Sequence, residues 1–181
     1  LLGALTMGTV SSCRDAIDIV QEGELSNTAI FQSLNDVNQF LVGSVYSSVD
    51  VANEVGFTSR FTDEVAQGPN NTELSFNTHQ YFIDTENAYA TGMWSSNLFV
   101  INRVNRLIEG SASATIKDTE RAAYNSYIAE ARAIRAYANA RLIWYFSPDP
   151  KDDNALGGIL FNDVPAVDYK APRNKNGEIY K

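Results

Sequence analysis

A long run of regularly spaced apolar residues in the second half of the chain constrains the fold more than any other feature. Between Asp118 and about Tyr145, apolar side chains recur at intervals of three and four residues, which places them on one face of a helix. They are Tyr124, Tyr127, Ile128, Ala131, Ile134, Ala138, Leu142 and Tyr145. Thr115 and Asp118 can cap this helix, and Pro148 should stop it because proline has no backbone donor. We therefore predict a helix over residues 118–145.

A second helix is predicted near the start of the folded part, over residues 34–51. Ser33 and Asp36 have the S-x-x-D order of a capping box. The apolar positions again recur at helical spacing. They are Leu34, Val37, Leu41, Val45 and Val49.

A third helix is predicted over residues 87–109, where Asp84 or Thr85 can cap it and Gly110 can end it. One face of this helix carries Trp94, Leu98, Ile101, Asn105 and Ile108. The last residues, 176–181, could begin one more helix. Together these patterns predict a mostly α-helical fold.

Residues 53–83 break the helical pattern, and we interpret them as a long loop with a short strand or hairpin at most. Long loops in compact domains tend to be functional. This loop contains polar and aromatic side chains of the kind that hold sugars, and Trp94 could add a stacking face. The candidate ligand-binding residues are Arg60, Asp63, Glu64, Asn70, Asn71, His79, Tyr81 and Trp94. Two alternatives remain open, a solvated polar loop and a core position for Trp94.

Composition excludes several classes of function. The net charge of −8 would repel nucleic acid, whose binding depends on lysine and arginine at phosphates. Cys13 and His79 are the only residues of their types, so an internal disulfide, a cysteine-rich zinc site and a two-histidine metal site are excluded. The sequence contains no nucleotide-binding or nucleophile-elbow motif, and we predict no metal, no cofactor and no enzymatic activity. Glycoside hydrolysis stays possible, since it needs only two carboxylates.

The first residues have the character of a secretion signal. Residues 1–12 are uncharged, small or apolar, and Cys13 follows them directly. This run is too short to cross a bilayer but fits the apolar part of a signal peptide. Val10-Ser11-Ser12-Cys13 resembles a loose bacterial lipobox, in which the cysteine becomes lipidated. We predict a signal remnant over 1–12, a tether over 13–32 and a helical domain over 33–181; the alternative is a short buried segment with an inert cysteine.

Three pieces of the sequence together resemble one known family. The run Glu130-Ala131-Arg132-Ala133-Ile134-Arg135-Ala136-Tyr137 is similar to the "EAR-x-x-RA-Y" helix of the SusD/RagB family of outer-membrane nutrient-binding lipoproteins. Upstream, the family's "W…Y…I…N" helix is matched at Trp94, Ile101 and Asn105, with Leu98 where the family often has tyrosine. Downstream, Gly158-Ile159-Leu160 and Val164-Pro165 resemble the segment that follows.

The resemblance implies a fold of tetratricopeptide-like helix pairs with a loop or short-strand insertion, of which this chain would be the N-terminal part. It also implies a lipid anchor at Cys13 in the outer membrane and a position at the cell surface. Such a protein captures oligosaccharides, or for some members peptides, and delivers them to a SusC-like TonB-dependent transporter. Two other functions stay open, a lipoprotein glycoside hydrolase with its catalytic part beyond residue 181 and a helical-repeat scaffold that binds only protein.

The charged residues of the EAR-like helix, Glu130, Arg132 and Arg135, invite a catalytic interpretation. We instead expect structural roles, because arginine stems pack on aromatic residues while their charged ends pair with acids.

Overall fold

The structure is a computed structural model that describes residues 30–62, 64–66, 68, 76–166 and 169–181. This part of the chain is mostly helical, as predicted. The signal remnant, the lipidation site Cys13 and the tether up to residue 29 lie outside these residues. No helix within the described ranges combines the length and the apolar character needed to cross a membrane.

The helices are numbered here in chain order. They are α1 (Leu34–Phe40), which continues as a π-helical segment (Leu41–Tyr46), α2 (Ala52–Phe61), α3 (Phe76–His79), α4 (Ala88–Ser111), a 3₁₀ turn (Asp118–Glu120) that leads into α5 (Arg121–Phe146), and α6 (Asn176–Ile179).

Helix α1 begins at the predicted capping box. The Asp36 carboxylate accepts hydrogen bonds from the backbone N–H and the hydroxyl of Ser33, both at 2.8 Å. The predicted apolar positions Val37, Leu41 and Val45 are buried. Phe31 is also buried, so the packed part of the chain includes a residue that precedes position 33.

Helices α4 and α5 form the centre of the fold as an antiparallel hairpin. The ring of Trp94, near the start of α4, lies 4.9 Å from the ring of Phe146 at the end of α5. At the other end, the Ser111 and Tyr124 hydroxyls are 3.2 Å apart. Side chains of both helices pack against α1 in one apolar core. Its fully buried members include Leu41, Val45, Ile101, Val104, Leu107 and Leu142.

The predicted start and end signals of α4 were wrong. Its cap is Asn87, whose side chain accepts a hydrogen bond from the Ala90 N–H, while Asp84 accepts one from Glu86 in the preceding turn. Gly110 does not end the helix, which continues to Ser111. The Phe31 ring lies against Gly110, where a Cβ atom would come within 2.3 Å of it, so glycine is needed for this close approach.

The cap predicted for α5 was also wrong. The Lys117 N–H donates to the Glu120 carboxylate at 3.2 Å, which closes the turn before the helix. Thr115 instead donates its backbone N–H to the Gln32 carbonyl, which connects the α4–α5 linker to the chain preceding α1. The end was predicted correctly: Ser147 has an extended backbone before Pro148.

The region predicted as a loop contains helix α2, and this is the largest correction to the fold. The prediction of loop or strand failed over 52–61 because Val55, Gly56 and Thr58 have weak helix propensity. Tertiary contacts compensate for this weak helix propensity. A Cβ on Gly56 would come within 2.7 Å of the Tyr89 ring, which shows that α2 lies very close to α4. Within the same predicted region, residues 76–79 form a helical turn, and residues 69–75 lie outside the described ranges.

The segment after α5 folds back on that helix. A bridge joins Leu156 and Lys175, and the buried side chain of Asn176 donates to the Ser147 hydroxyl and to two carbonyls of the turn that follows α5, each at 2.9 Å. The final helical turn predicted from the sequence is present as α6.

Candidate functional site

Four aromatic rings meet where α2 approaches the end of α5. The Phe57 and Phe61 rings stack with centroids 5.0 Å apart, and Tyr145 meets Phe57 edge-on at 6.2 Å. The Tyr81 ring packs edge-on against Phe61 at 5.2 Å. We call these four residues the aromatic platform. Phe82 follows Tyr81 directly and is 59% exposed.

Tyr81 is held in a backbone conformation that side chains rarely adopt. Its φ angle is 61°, in the left-handed region that disfavours bulky residues. The turn that imposes this angle is anchored: the Tyr81 N–H donates to the Thr78 carbonyl, and the Asn87 side chain donates to the buried Thr78 hydroxyl at 2.7 Å. Tyr81 is nevertheless 54% exposed. Backbone strain in an anchored turn that presents an exposed ring is typical of a recognition site.

An ion pair stabilises the platform on its buried side. The Arg141 side chain is 2% exposed, and its Nη2 lies 2.6 Å from a Glu54 carboxylate oxygen. The other Glu54 oxygen accepts a hydrogen bond from the Tyr145 hydroxyl, and Arg141 also donates to the Asp50 carbonyl at 3.0 Å. Burial, and then the hydrogen bond to Glu54, raises the pKa of Tyr145 to about 12. The position of α2, and hence of Phe57 and Phe61, depends on these contacts with α5.

The raised pKa of Tyr145 makes the fold sensitive to alkali. An unfolded tyrosine ionises near pH 10, so between about pH 10 and 12 the unfolded chain binds fewer protons and stability falls as pH rises. We expect chemical denaturation to show a smaller loss of stability from about pH 9 to about pH 11 in Tyr145→Phe than in the unmodified chain. An equal loss in both proteins would show that Tyr145 ionises like an exposed tyrosine.

The structure places one of the predicted ligand-binding residues, Tyr81, in the aromatic platform. Arg60 lies on α2 next to Phe61, with its guanidinium 5.0 Å from the centre of the Tyr89 ring. Glu64 is exposed just after this helix. His79 lies on α3, two residues before Tyr81.

None of the other predicted residues that the structure describes belongs to the platform. Asp63, Asn70 and Asn71 lie outside the described residues. Trp94 packs against Phe146 and the apolar core, so its contacts are those of a core anchor. Sequence reasoning missed Phe57, Phe61, Phe82 and Tyr145 as members of this surface. The only available signal was the i, i+4 spacing of Phe57 and Phe61, which brings two side chains together only if the segment is helical.

The residues that carry the family resemblance have structural contacts. Asn105 is fully buried, and its side chain donates to the carbonyls of Phe161 and Asp163 at 3.0 and 2.7 Å. Its side-chain oxygen accepts a hydrogen bond from Arg135 at 2.7 Å. The Glu130 carboxylate accepts one from the Tyr46 hydroxyl at 2.9 Å. Glu130 and Arg135 therefore join elements of the fold. The expected pairing of the arginines with acids is not found among the described residues, because Arg135 bonds the Asn105 amide and Arg132 is exposed.

Among the described residues, no group of three His, Cys, Asp or Glu side chains is placed to hold a metal ion. The Glu54 carboxylate, which accepts a hydrogen bond from Tyr145 of the platform, is also engaged by Arg141. The chemistry this surface offers is stacking by the exposed ring of Tyr81, which packs edge-on against Phe61.

Comparison of the chain with protein-family models, with curated proteins and with solved structures finds no match. Function is therefore inferred from the residues and the geometry of this chain.

Proposed function

We propose that this chain is the N-terminal part of a cell-surface lipoprotein that captures oligosaccharides and delivers them to a TonB-dependent outer-membrane transporter. The observation that carries the proposal is the aromatic platform, with Tyr81 presented from a strained and anchored turn. Sugar rings expose flat C–H faces, and aromatic side chains bind such faces without any need for charge. A ligand that is neutral also suits a chain whose net charge is −8.

The remaining parts of the proposal come from the sequence resemblance. Cys13 carries the lipid that holds the protein at the outer membrane, and more than one acyl chain gives durable anchoring. The α4–α5 hairpin is one of the tetratricopeptide-like pairs, and the segment between α2 and α4 carries part of the ligand surface. The mechanism is reversible capture, followed by closure of the protein over the transporter, which stops the ligand from diffusing away.

Binding without cleavage fits the platform better than hydrolysis does. Glycoside hydrolysis requires two carboxyl groups about 5–9 Å apart on either side of the scissile bond. Glu54 supports the platform from its buried side, where a buried arginine holds it in an ion pair. The exposed residues Tyr81 and Phe82 offer rings, which stack on sugars but supply neither of the two carboxyl groups that hydrolysis requires.

Removing the exposed ring from the platform should weaken oligosaccharide binding about tenfold, because a stacking contact contributes about 1 kcal/mol or somewhat more. Tyr81→Asn is the variant of choice, since asparagine tolerates the left-handed backbone that Tyr81 adopts. Tyr169→Asn is the matched control, because Tyr169 is 61% exposed on the segment after α5. Retardation in gels that contain soluble polysaccharides measures the affinity.

The same oligosaccharides, incubated with the chain and analysed by mass spectrometry, should remain uncleaved. Shorter products would favour the hydrolase alternative. Unchanged retardation of Tyr81→Asn, or an equal loss in Tyr169→Asn, would contradict binding at the platform.

A further inference from the structure

A cavity of about 610 Å³ lies between α5 and the segment that contains α6. Its α5 wall carries Arg132, Arg135 and Asn139, and Leu160 and Asn162 lie on the opposite wall. This volume falls in the range of small-molecule sites, about 300–1,000 Å³. None of the four residues of the aromatic platform lines this cavity.

Three cationic residues line this cavity, Arg132, Arg135 and Lys181, and Arg135 is held in a fixed orientation. The Nη1 of Arg135 donates to the side-chain oxygen of Asn105. The Asn105 amide is itself fixed in place, because its nitrogen donates to the carbonyls of Phe161 and Asp163. A guanidinium has five N–H donors, so this contact fixes its plane and leaves donors for a ligand. Preorganised donors of this kind lose little conformational freedom when a ligand binds.

The second cation lies one helical turn away, at Arg132, which is exposed. In the described part of the chain, neither arginine forms an ion pair with a carboxylate. The two positive charges repel each other: burial, and then the charge of Arg132, lowers the pKa of Arg135. A bound anion would relieve this repulsion and gain charge-assisted hydrogen bonds.

Glu178 is the acidic residue that lines the cavity, and its carboxylate is already hydrogen-bonded by residues close to it in the sequence. Its carboxylate accepts hydrogen bonds from the Asn174 side chain at 3.1 Å and from the Lys175 N–H at 3.2 Å. The Asn174 hydrogen bond is the main cause that lowers the pKa of Glu178, and the charges of Lys175 and Lys181 add to it. Glu178 is therefore satisfied locally and does not serve as the partner of the arginine pair.

We propose that this cavity binds the carboxylate of a small organic acid, held by Arg132 and Arg135. Guanidinium groups match the planar, two-oxygen geometry of a carboxylate, which favours this group over a neutral polar one. The amides of Asn139 and Asn162 can hydrogen-bond the uncharged remainder of the ligand. The site does not depend on the aromatic platform and stands apart from the proposed capture of neutral oligosaccharides.

Titration calorimetry of the 181-residue chain with sodium glucuronate, and with glucose as the uncharged probe of similar size, tests the proposal. Glucuronate should bind and glucose should not bind at this site. Arg132→Gln should weaken glucuronate binding about tenfold or more, because it removes a charge-assisted contact while the exposed position leaves the fold intact. High salt should also weaken binding, since counterions screen the charges.

The matched control is Arg121→Gln, which removes the same charge from an exposed position on the same helix. This variant should bind glucuronate like the unmodified chain. The proposal is overturned if glucuronate fails to bind, if Arg132→Gln binds it unchanged, or if Arg121→Gln weakens it equally. Because these measurements use no neutral oligosaccharide, their failure would leave the test of the platform unaffected.

Discussion

Replacing Glu54 with alanine is expected to destabilise the fold by about 3 kcal/mol. The loss would leave the Arg141 guanidinium, 2% exposed, without its carboxylate partner in the interior. Breaking one side of a buried ion pair typically costs about 3–5 kcal/mol, and the lower end applies because Glu54 is itself 22% exposed. Tyr145 would lose its acceptor in the same variant.

Equilibrium denaturation followed by circular dichroism measures this loss. The control is Glu130→Ala. The Glu130 carboxylate also accepts a hydrogen bond from a tyrosine hydroxyl on another helix, but it lies at an exposed position. It should lower stability by no more than about 0.5–1 kcal/mol. The double variant Glu54→Leu with Arg141→Met should recover most of the loss, because no buried charge remains. A loss below about 1 kcal/mol in Glu54→Ala would mean that water reaches Arg141.

Asn105→Ala is expected to lower stability by about 3 kcal/mol as well. The fully buried amide makes three hydrogen bonds, two to the carbonyls of Phe161 and Asp163 and one to Arg135. Each bond contributes about 1 kcal/mol, and groups left buried without a partner add to the cost. The segment after α5 should detach locally from α4 before the rest of the chain unfolds.

Asn102→Ala is the control for this prediction. Asn102 lies on the same helix and accepts one hydrogen bond, from the exposed Arg106. Its loss should cost less than about 1 kcal/mol. Amide hydrogen exchange separates the two variants: in Asn105→Ala, exchange of the Val164 N–H, which donates to Glu109, should be faster than in the unmodified chain. Unchanged exchange there would contradict the bridging role of Asn105.

The long helices could be predicted from the sequence because the apolar residues of each recur at helical spacing, and this spacing is a property of the segment itself. Residues such as Val37, Ile101 and Leu142 are buried as their spacing predicts. The capping box at Ser33 could also be predicted, since both of its members are local. The cap of α4 and the turn before α5 could not be predicted, because several residues near each start are capable of capping. Only the backbone path brings Asn87 to the cap of α4 and Glu120 into the turn before α5.

Helix α2 and the aromatic platform could not be predicted, because contacts distant in sequence create them. Gly56 weakens the local helical signal, and the helix is stabilised by Tyr89 and by the Glu54–Arg141 pair. The strained turn at Tyr81 depends on the hydrogen bond between Asn87 and Thr78, whose spacing resembles no known turn signature. The ligand-binding roles of Arg60 and Tyr81 stay predictions that rest on the chemistry of their side chains.

The most direct test of oligosaccharide capture at the platform is a nuclear magnetic resonance titration of the ¹⁵N-labelled chain with a neutral oligosaccharide retained by the gels. We expect the largest chemical-shift changes at the backbone amides of Tyr81, Phe82 and Phe61, with little change at Arg132 and Arg135. Shift changes confined to other parts of the surface, or none at saturating ligand, would contradict the assignment of the aromatic platform as the surface that binds sugar.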